Sequence, residues 1–237
     1  MRIFGDQAAL AAHLLTALGP DGTDGSHDRT HLFRVWQNAR RIAAEETGYD
    51  RDVLLAAVLL HDCVAVEKNS PDRPRASRLA AARAREILAG LASVGLDRVG
   101  LDRVGRGWPA DRIDQAAHAI EAHSFSAGIE PRGVEARILQ DADRLEAIGA
   151  IGIARCFYVA GRMGSALYSP DDPAALQRSL DDRSFALDHF GAKLFTVADG
   201  FKTAAGRRLA AERARLVRDF HTAFLAELGD AELGTLK

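Results

Sequence analysis

An all-α fold is what this sequence predicts, on three observations. Ala, Leu, Arg and Glu, which are strong helix formers, dominate the chain. Alternating runs of β-branched residues, the mark of half-buried strands, are scarce. Apolar residues recur at helical spacing between capping residues and glycine or proline stops.

Each helix can be argued in turn. The first starts near Asp6, a suitable N-cap, and stops at the GPDGTDG loop. The second runs from about Asp28 to Glu46, with Leu32, Val35, Ala39 and Ile42 on one face and Gly48 as its stop. Ser26 and Asp28 can serve as caps at its start. Asp50 caps a third helix whose apolar run, Leu54, Leu55, Val58, Leu59 and Leu60, ends abruptly in His61 and Asp62. After the PDRPRAS loop, Ser77 caps a fourth helix through Leu88.

SVGLDRVGLDRVGRGW carries LDRVG twice in tandem and reads as a duplicated surface loop in preference to a substrate lid. Asp111 opens a fifth helix through His123. A long helix from about Val134 to Val159 is apolar or small on several faces and is expected to be the central buried helix. RMGSALYSPDDP is loop. Two last helices, near Ser184 to Ala198 and Thr203 to Glu227, close the chain. The last of them presents Leu209, Leu216, Phe220 and Phe224 at helical spacing.

With 237 residues and 47% hydrophobic content, the chain suits one domain with a sizeable core. The formal net charge of −2 and 6% aromatic content give no broad basic, aromatic-interleaved surface for a nucleic acid polymer. Cys63 and Cys156 form no CxxC pair, so neither a thiolate zinc site nor a disulfide framework is expected. The N-terminal segment reads as an amphipathic helix, with His13 interrupting its apolar run, and no stretch approaches the length of a membrane span. A cytoplasmic location is the default expectation.

The chemistry starts from the His61-Asp62 pair. Two ionisable side chains beside an apolar run need partners, because burying either alone costs several kcal/mol. His31 lies on the second helix, and Asp141 and Asp143 lie in ILQDADRLEAIGA. Folding these segments around one point yields two imidazoles and carboxylates, a mixed donor set for an octahedral divalent ion. Asp141 and Asp143 stand about 200° apart on a regular helix, so both cannot face one ion. Asp141 shares its face with Ile138, Leu145 and Ile148, which reads as packing. Asp143 shares its face with Ala147, Ala150 and Ala154, which leaves room for a ligand. Asp143 is therefore the expected ligand, and Asp141 a partner that orients a histidine. His27, four residues before His31 on the same face, competes with it.

The pattern H…HD…D resembles the HD-domain superfamily of metal-dependent phosphohydrolases. THLFRV is similar to its first motif, AAVLLHDC to its second and DADRLEAIGAIGIAR to its third. Together with AIEAHSFSA and DHFGAKL, the third resembles a bacterial subgroup of stand-alone HD hydrolases, some of which hydrolyse nucleoside triphosphates. The likeness spans roughly residues 26 to 225. It implies one helical bundle domain, with an HD-type core over about 26–160 and a C-terminal helical extension over about 180–230. It also implies metal-ligand roles for His31, His61, Asp62 and Asp143. The expected cofactor is one divalent ion, Mn²⁺ first, with Mg²⁺, Fe²⁺, Co²⁺ or Ni²⁺ as alternatives.

A phosphohydrolase also needs donors for phosphate oxygens. Lys68 and Lys193, supported by the resemblance, and Arg144, which follows Asp143, are the substrate-binding candidates; Arg155 lies on nearly the same face as Arg144. Asp62 and His123 are the catalytic candidates, His123 for contacting a phosphate or protonating a leaving group. His118 stands about 140° from His123 on the helix, which disfavours a second metal held by both. Glu67 is only weakly indicated as a base, and the general base stays unassigned. No GxxxxGK[ST] or GxGxxG loop cradles phosphates. The expected reaction is (d)NTP to (d)NMP plus pyrophosphate. A 5′-nucleotidase and a non-catalytic nucleotide-sensing module are the alternatives, and a two-iron protein is a more remote one. A homodimer stays open.

Overall fold

The computed structural model describes residues 2–19, 29–64, 66, 73–91, 108–124 and 127–229. Ser26, His27, Asp28, Glu67, Lys68, the body of the GPDGTDG loop and the LDRVG repeat lie outside the described residues. The fold is all-α: α1 (Ala8–Ala17), α2 (Arg29–Ala43), α3 (Arg51–Leu60), α4 (Ala76–Gly90), α5 (Ala110–Ala122), α6 (Val134–Arg144), α7 (Gly149–Met163) and α8 (Ala204–Glu227). Among the described residues there is no β-strand, and an isolated parallel bridge joins Ala166 to Phe185. No helix among them is long and apolar enough to cross a membrane.

The chain divides into two compact units, Met1–Asp143 and Arg144–Lys237. In the first, α3 is the central helix: every residue from Val53 to Leu60 is buried, and it packs against α1, α2, α4 and α5. Burial on all sides explains why its sequence is apolar without periodicity. Asp50 caps it as expected, its carboxylate accepting from the N–H groups of Asp52 and Val53, and Arg112 on α5 donates to the same oxygen at 2.7 Å. The first helical stretch begins with a 3₁₀ segment, Arg2–Gln7, so Asp6 lies inside it and does not cap α1. Asp6 instead accepts both terminal nitrogens of Arg51. α4 starts one residue before Ser77, which is buried and caps nothing.

The expected long helix from Val134 to Val159 is broken, and it is not the central one. α6 ends at Arg144, a 3₁₀ turn covers Leu145–Ala147, Ile148 is extended (φ −131°, ψ 169°), and α7 begins at Gly149. Apolar spacing continues on both sides of the break, which is why periodicity alone reads straight through it. The cause lies in two glycines. Gly149 has φ +74°, a left-handed conformation that L side chains rarely adopt. A Cβ on Gly152 would stand 2.4 Å from the Ala147 carbonyl oxygen, so the first turn of α7 can lie on that carbonyl only without a side chain. Beyond the break Ala150, Ile151 and Ala154 are exposed, contrary to the expectation of a helix buried on several faces.

Within the second unit α7 packs on α8, whose buried seam is Ala205, Ala210, Ala214 and Val217. Leu216 is exposed, so the seam is turned relative to the expected face, while Phe220 and Phe224 join Phe157 and Phe190 in an aromatic cluster. Thr203 caps α8 by accepting from Gly206 N–H. The stretch expected as a helix near Ser184 to Ala198 is mostly turns around a short π-helical segment, Phe190–Leu194. A bidentate pair between Arg178 and the buried Asp188 pins the preceding loop.

These two glycine contexts generate a paired expectation. Gly152→Ala should destabilise the protein by about 1–3 kcal/mol, the range for forced overpacking. Gly161→Ala, at an exposed α7 position with open space around it, should stabilise by about 0.5–1 kcal/mol. Chemical denaturation of the two variants against the parent measures both; equal effects would contradict the clash at the helix break.

Candidate metal centre

The site is built at helix ends inside the first unit. His61 is the residue after the last turn of α3, fully buried, and its Nδ1–H donates to the carbonyl of Val58 at 2.8 Å. That bond satisfies a carbonyl that a helix end would orphan, and it fixes the tautomer that leaves the Nε2 lone pair facing inward. His123 repeats the arrangement at the end of α5, donating from Nδ1 to Ile120 at 2.6 Å. His31 projects from the first turn of α2 and is 1% exposed. Asp143 is the penultimate residue of α6.

Four of the expected residues converge. His31 Nε2 lies 3.2 Å from His61 Nε2, 3.4 Å from Asp143 Oδ1 and 3.7 Å from Asp62 Oδ2. His61 Nε2 lies 3.5 Å from Asp62 Oδ2 and 3.7 Å from Asp143 Oδ1. Asp62 turns its other oxygen, Oδ1, toward His123 Nε2 at 3.8 Å. The ligand atoms of His31, His61 and Asp62 all fall within 4.8 Å of one another.

The donor set fits a divalent ion. Ligands bound at about 2.1 Å and at right angles stand about 3 Å apart, and the separations here are of that size. Imidazole nitrogens with carboxylate oxygens suit Mn²⁺, Fe²⁺, Co²⁺ or Ni²⁺ better than Ca²⁺. The carboxylates of Asp62 and Asp143 are about one-third exposed, so one side of the cluster is open.

Electrostatics agree with a set of anions held around a cation position. Burial pushes the His61 imidazole toward the neutral form, but Asp62 and Asp143 outweigh it and raise its pKa to about 9. Burial opposes ionisation of Asp143, but hydrogen bonds and charge from His31 and His61 overcome it and hold the carboxyl well below its ordinary value. His123 moves the opposite way: burial and then repulsion from His61 lower its pKa.

Three side chains that sequence reasoning missed hold the pieces together. Asn38 on α2 donates to the carbonyl of Ala142, next to Asp143, at 3.1 Å. Gln140 on α6 donates to the carbonyl of Ala122, next to His123, at 2.7 Å. Glu135, near the start of α6, accepts from Asp50 N–H at 2.6 Å. α6 is thus tied to α2, α3 and α5. A polar residue on an otherwise apolar helix face, such as Asn38 beside Val35, Ala39 and Ile42, is the available sequence signal.

The remaining candidates are placed as follows. Asp141 is fully buried. His118 does not turn toward His123; its Nε2 accepts from Arg132 N–H at 2.9 Å. In the second unit, Arg144 donates from Nε to Val197 O at 2.8 Å with its guanidinium over the Phe201 ring, Arg155 is half-buried, and Lys193 is exposed in the π-helical segment.

Comparisons with known proteins agree with this geometry. The HD domain family profile matches residues 29–148. YpgQ of Bacillus subtilis (strain 168), described as an uncharacterized protein, is 33% identical over 198 residues, 82% of this chain and 80% of its own. The crystal structure of Bacillus subtilis YpgQ in complex with ADP aligns at TM-score 0.63 with 25% identity, covering 98% of this chain and 100% of that one. An HD-superfamily hydrolase from Bacillus thuringiensis aligns at TM-score 0.61 with 27% identity, covering 93% and 97%. The chain belongs to the HD domain family.

The raised pKa of His61 sets a pH dependence. Its folded value of about 9 exceeds the ordinary 6.5, so its contribution to stability is complete below pH 6.5 and lost as pH rises through 9. Urea denaturation of the metal-free protein should show stability falling across that window, with a shallower slope in His61→Gln; matching slopes would contradict it. A ligating imidazole must be neutral, so Mn²⁺ binding near pH 7.5 should release a proton. Calorimetric titration in two buffers of different ionisation enthalpy measures that release.

Proposed function

We propose that this chain is a divalent-metal-dependent phosphohydrolase acting on a small nucleotide, cleaving (d)NTPs to (d)NMP and pyrophosphate. The observation that carries the reading is the convergence of His31, His61, Asp62 and Asp143, two imidazoles and two carboxylates from α2, α6 and the end of α3. The ADP complex of YpgQ supports a nucleotide as the ligand class.

His31, His61, Asp62 and Asp143 would hold one divalent ion, Mn²⁺ first. Such an ion, when bound, supplies a water of lowered pKa and positive charge against the phosphoryl oxygens. The protein's own residues do the rest. The Val58 carbonyl keeps His61 in one tautomer, and the Asn38 tether keeps the end of α6 in register. Asp62 spans the cluster and His123, one oxygen toward each.

Of the two roles expected of His123, contacting a phosphate and protonating a leaving group, the second fits it poorly, and a role not expected from the sequence fits it better. Protonating a leaving group requires a charged ring, which burial and His61 disfavour. A neutral ring with Nε2 unprotonated, facing the same carboxylate, is suited to accept a proton from the attacking water. Pyrophosphate leaves as an anion and needs no proton. Lys68 and Lys193 are carried as phosphate-binding side chains, and Arg144 has its Nε committed to Val197.

Two expectations test the reading. Asp62→Ala should abolish Mn²⁺ retention after dialysis, while Asp141→Ala should weaken it less, by metal analysis of the purified variants; the reverse order would exchange the two aspartates' roles. Metal-stripped protein with Mn²⁺ should convert nucleoside triphosphates to monophosphate and pyrophosphate, and His61→Ala should not. Orthophosphate as the first product from triphosphates would overturn the pyrophosphohydrolase reading. Release of orthophosphate from monophosphates would favour the 5′-nucleotidase, and tight nucleotide binding without any product would favour the sensing module.

A further inference from the structure

Every large apolar side chain that stands exposed among the described residues lies in the second unit, from Ile151 to Leu216. Four of them belong to two patches of opposite charge. The first patch is the outer face of α7. Gly152, Ile153, Cys156 and Ala160 are buried on one side of the helix, and Ala150, Ile151, Ala154 and Tyr158 are exposed within an arc of about 100° on the other. A surface helix ordinarily carries charged side chains there. α7 contains no Asp or Glu, and its two cations, Arg155 and Arg162, border the exposed arc beside Ile151. The Arg162 guanidinium lies over the Tyr158 ring.

The second patch is the segment 171–182. Leu176 is 82% exposed and Leu180 47%. The segment carries four carboxylates, on Asp171, Asp172, Asp181 and Asp182, and its cation, Arg178, is committed to the buried Asp188. The exposed leucines stand on a fixed frame. Asp172 accepts from the N–H groups of Leu176 and Gln177, Asp181 accepts from Ser184 N–H, and the Arg178–Asp188 pair holds the chain between them. Groups already held in place lose little freedom when they are covered.

An apolar face edged with arginine and an apolar loop edged with aspartate complement each other, and both lie uncovered on one chain. We propose that this chain forms a two-fold homodimer in which the outer face of α7 receives the 171–182 segment of a second copy, and the reverse. A two-fold pair makes that contact twice, so both patches of each copy are covered at once. Crossing α7 on α7 is disfavoured, because the centre of the exposed face falls beside Arg155 and would set that cation against its own copy. The inference does not depend on the proposed reaction.

The test is sedimentation velocity of the full chain at about 100 μM, above the Kd of a standard-size interface. The samples are the parent, Ile151→Glu, Leu176→Arg and an equimolar mixture of the two variants. The parent should run as a dimer that high salt weakens. Ile151→Glu sets a carboxylate against the aspartates of the second copy, and Leu176→Arg sets a guanidinium against its arginines. Each should therefore weaken the dimer at least about tenfold. Both positions are exposed, so both variants should keep the parent's circular dichroism and unfolding midpoint; Tyr158→Glu repeats the test at a second position on the face. In the mixture one contact keeps both original patches and the other sets Glu against Arg, so a heterodimer should form. A monomeric parent overturns the proposal, as does a mixture that recovers no dimer. A dimer that resists Leu176→Arg also overturns it, and dissociation by Ile151→Glu alone would point to α7 on α7.

Discussion

The first unit depends on one constraint: two carboxylates and two imidazoles must share a point at the edge of an apolar core without leaving net charge there unbalanced. Asp62 and Asp143 cannot approach each other across a low-dielectric interior unless positive charge lies between them. In the metal-free protein the His61 imidazole carries positive charge there, held protonated to about pH 9 by Asp62 and Asp143 against its burial. A divalent ion held there, as we propose, would do the same task with two positive charges and release the rings to be ligands, so that protons and metal would compete for the cluster.

Helix geometry then determines how such a point can be assembled. α3 is apolar on every face from Val53 to Leu60, so no ligand can project from its body. Its ligands must come from its end, where the chain leaves the core and carbonyls lack partners. His61 meets both requirements with one ring, Nδ1 on the Val58 carbonyl and Nε2 on the site. His123 uses the same device on α5. Two histidines at helix ends, each bonded to a carbonyl three residues earlier, place two lone pairs toward Asp62 from different directions. α6 supplies Asp143 from near its own end, and Asn38, Gln140 and Glu135 fix where that end lies. Each tether satisfies a buried polar group that would otherwise cost on the order of 1–3 kcal/mol, so the site's polar surroundings and its rigidity are one arrangement.

Local signals in the sequence were good guides where the physics is local. Asp50 caps α3 and Gly48 adopts positive φ after α2, both readable from a few residues, and α5 begins at Ala110, one residue before the expected Asp111. The helix break at 145–148 was not legible in this way. Apolar periodicity continues through it, and the deciding facts are the left-handed Gly149 and the absence of a side chain at Gly152, which matter only once Ala147 is in place. Asp143 was singled out partly from small residues at 147, 150 and 154, on the premise of one straight helix. The structure puts those positions beyond the break, so that part of the reasoning does not hold. What brings Asp143 beside His31 is the end of α6, held by Asn38 on the helix that also carries His31. Leu216 and the Ser184–Ala198 stretch failed for a related reason: a helical spacing of apolar residues does not say which of two faces meets a neighbour, nor whether a chain pinned by Arg178 and Asp188 can complete a helix.

The opposite pKa directions of His61 and His123 carry the last step. The rings are 4.9 Å apart, centroid to centroid, and edge-on, both are buried, and both use Nδ1 identically. They differ in position relative to charge: His61 stands between two carboxylates, whereas His123 meets one oxygen of Asp62 at 3.8 Å and the positive charge of His61 beyond it. Two like groups with environments that separate their pKa values are what divided acid and base roles require. A ring kept charged by anions is the one a metal displaces protons from. A ring kept neutral beside it turns Nε2 toward the Asp62 carboxylate. The same burial that makes His61 costly without a cation makes His123 available as an acceptor, so the division of labour follows from where the two carboxylates sit.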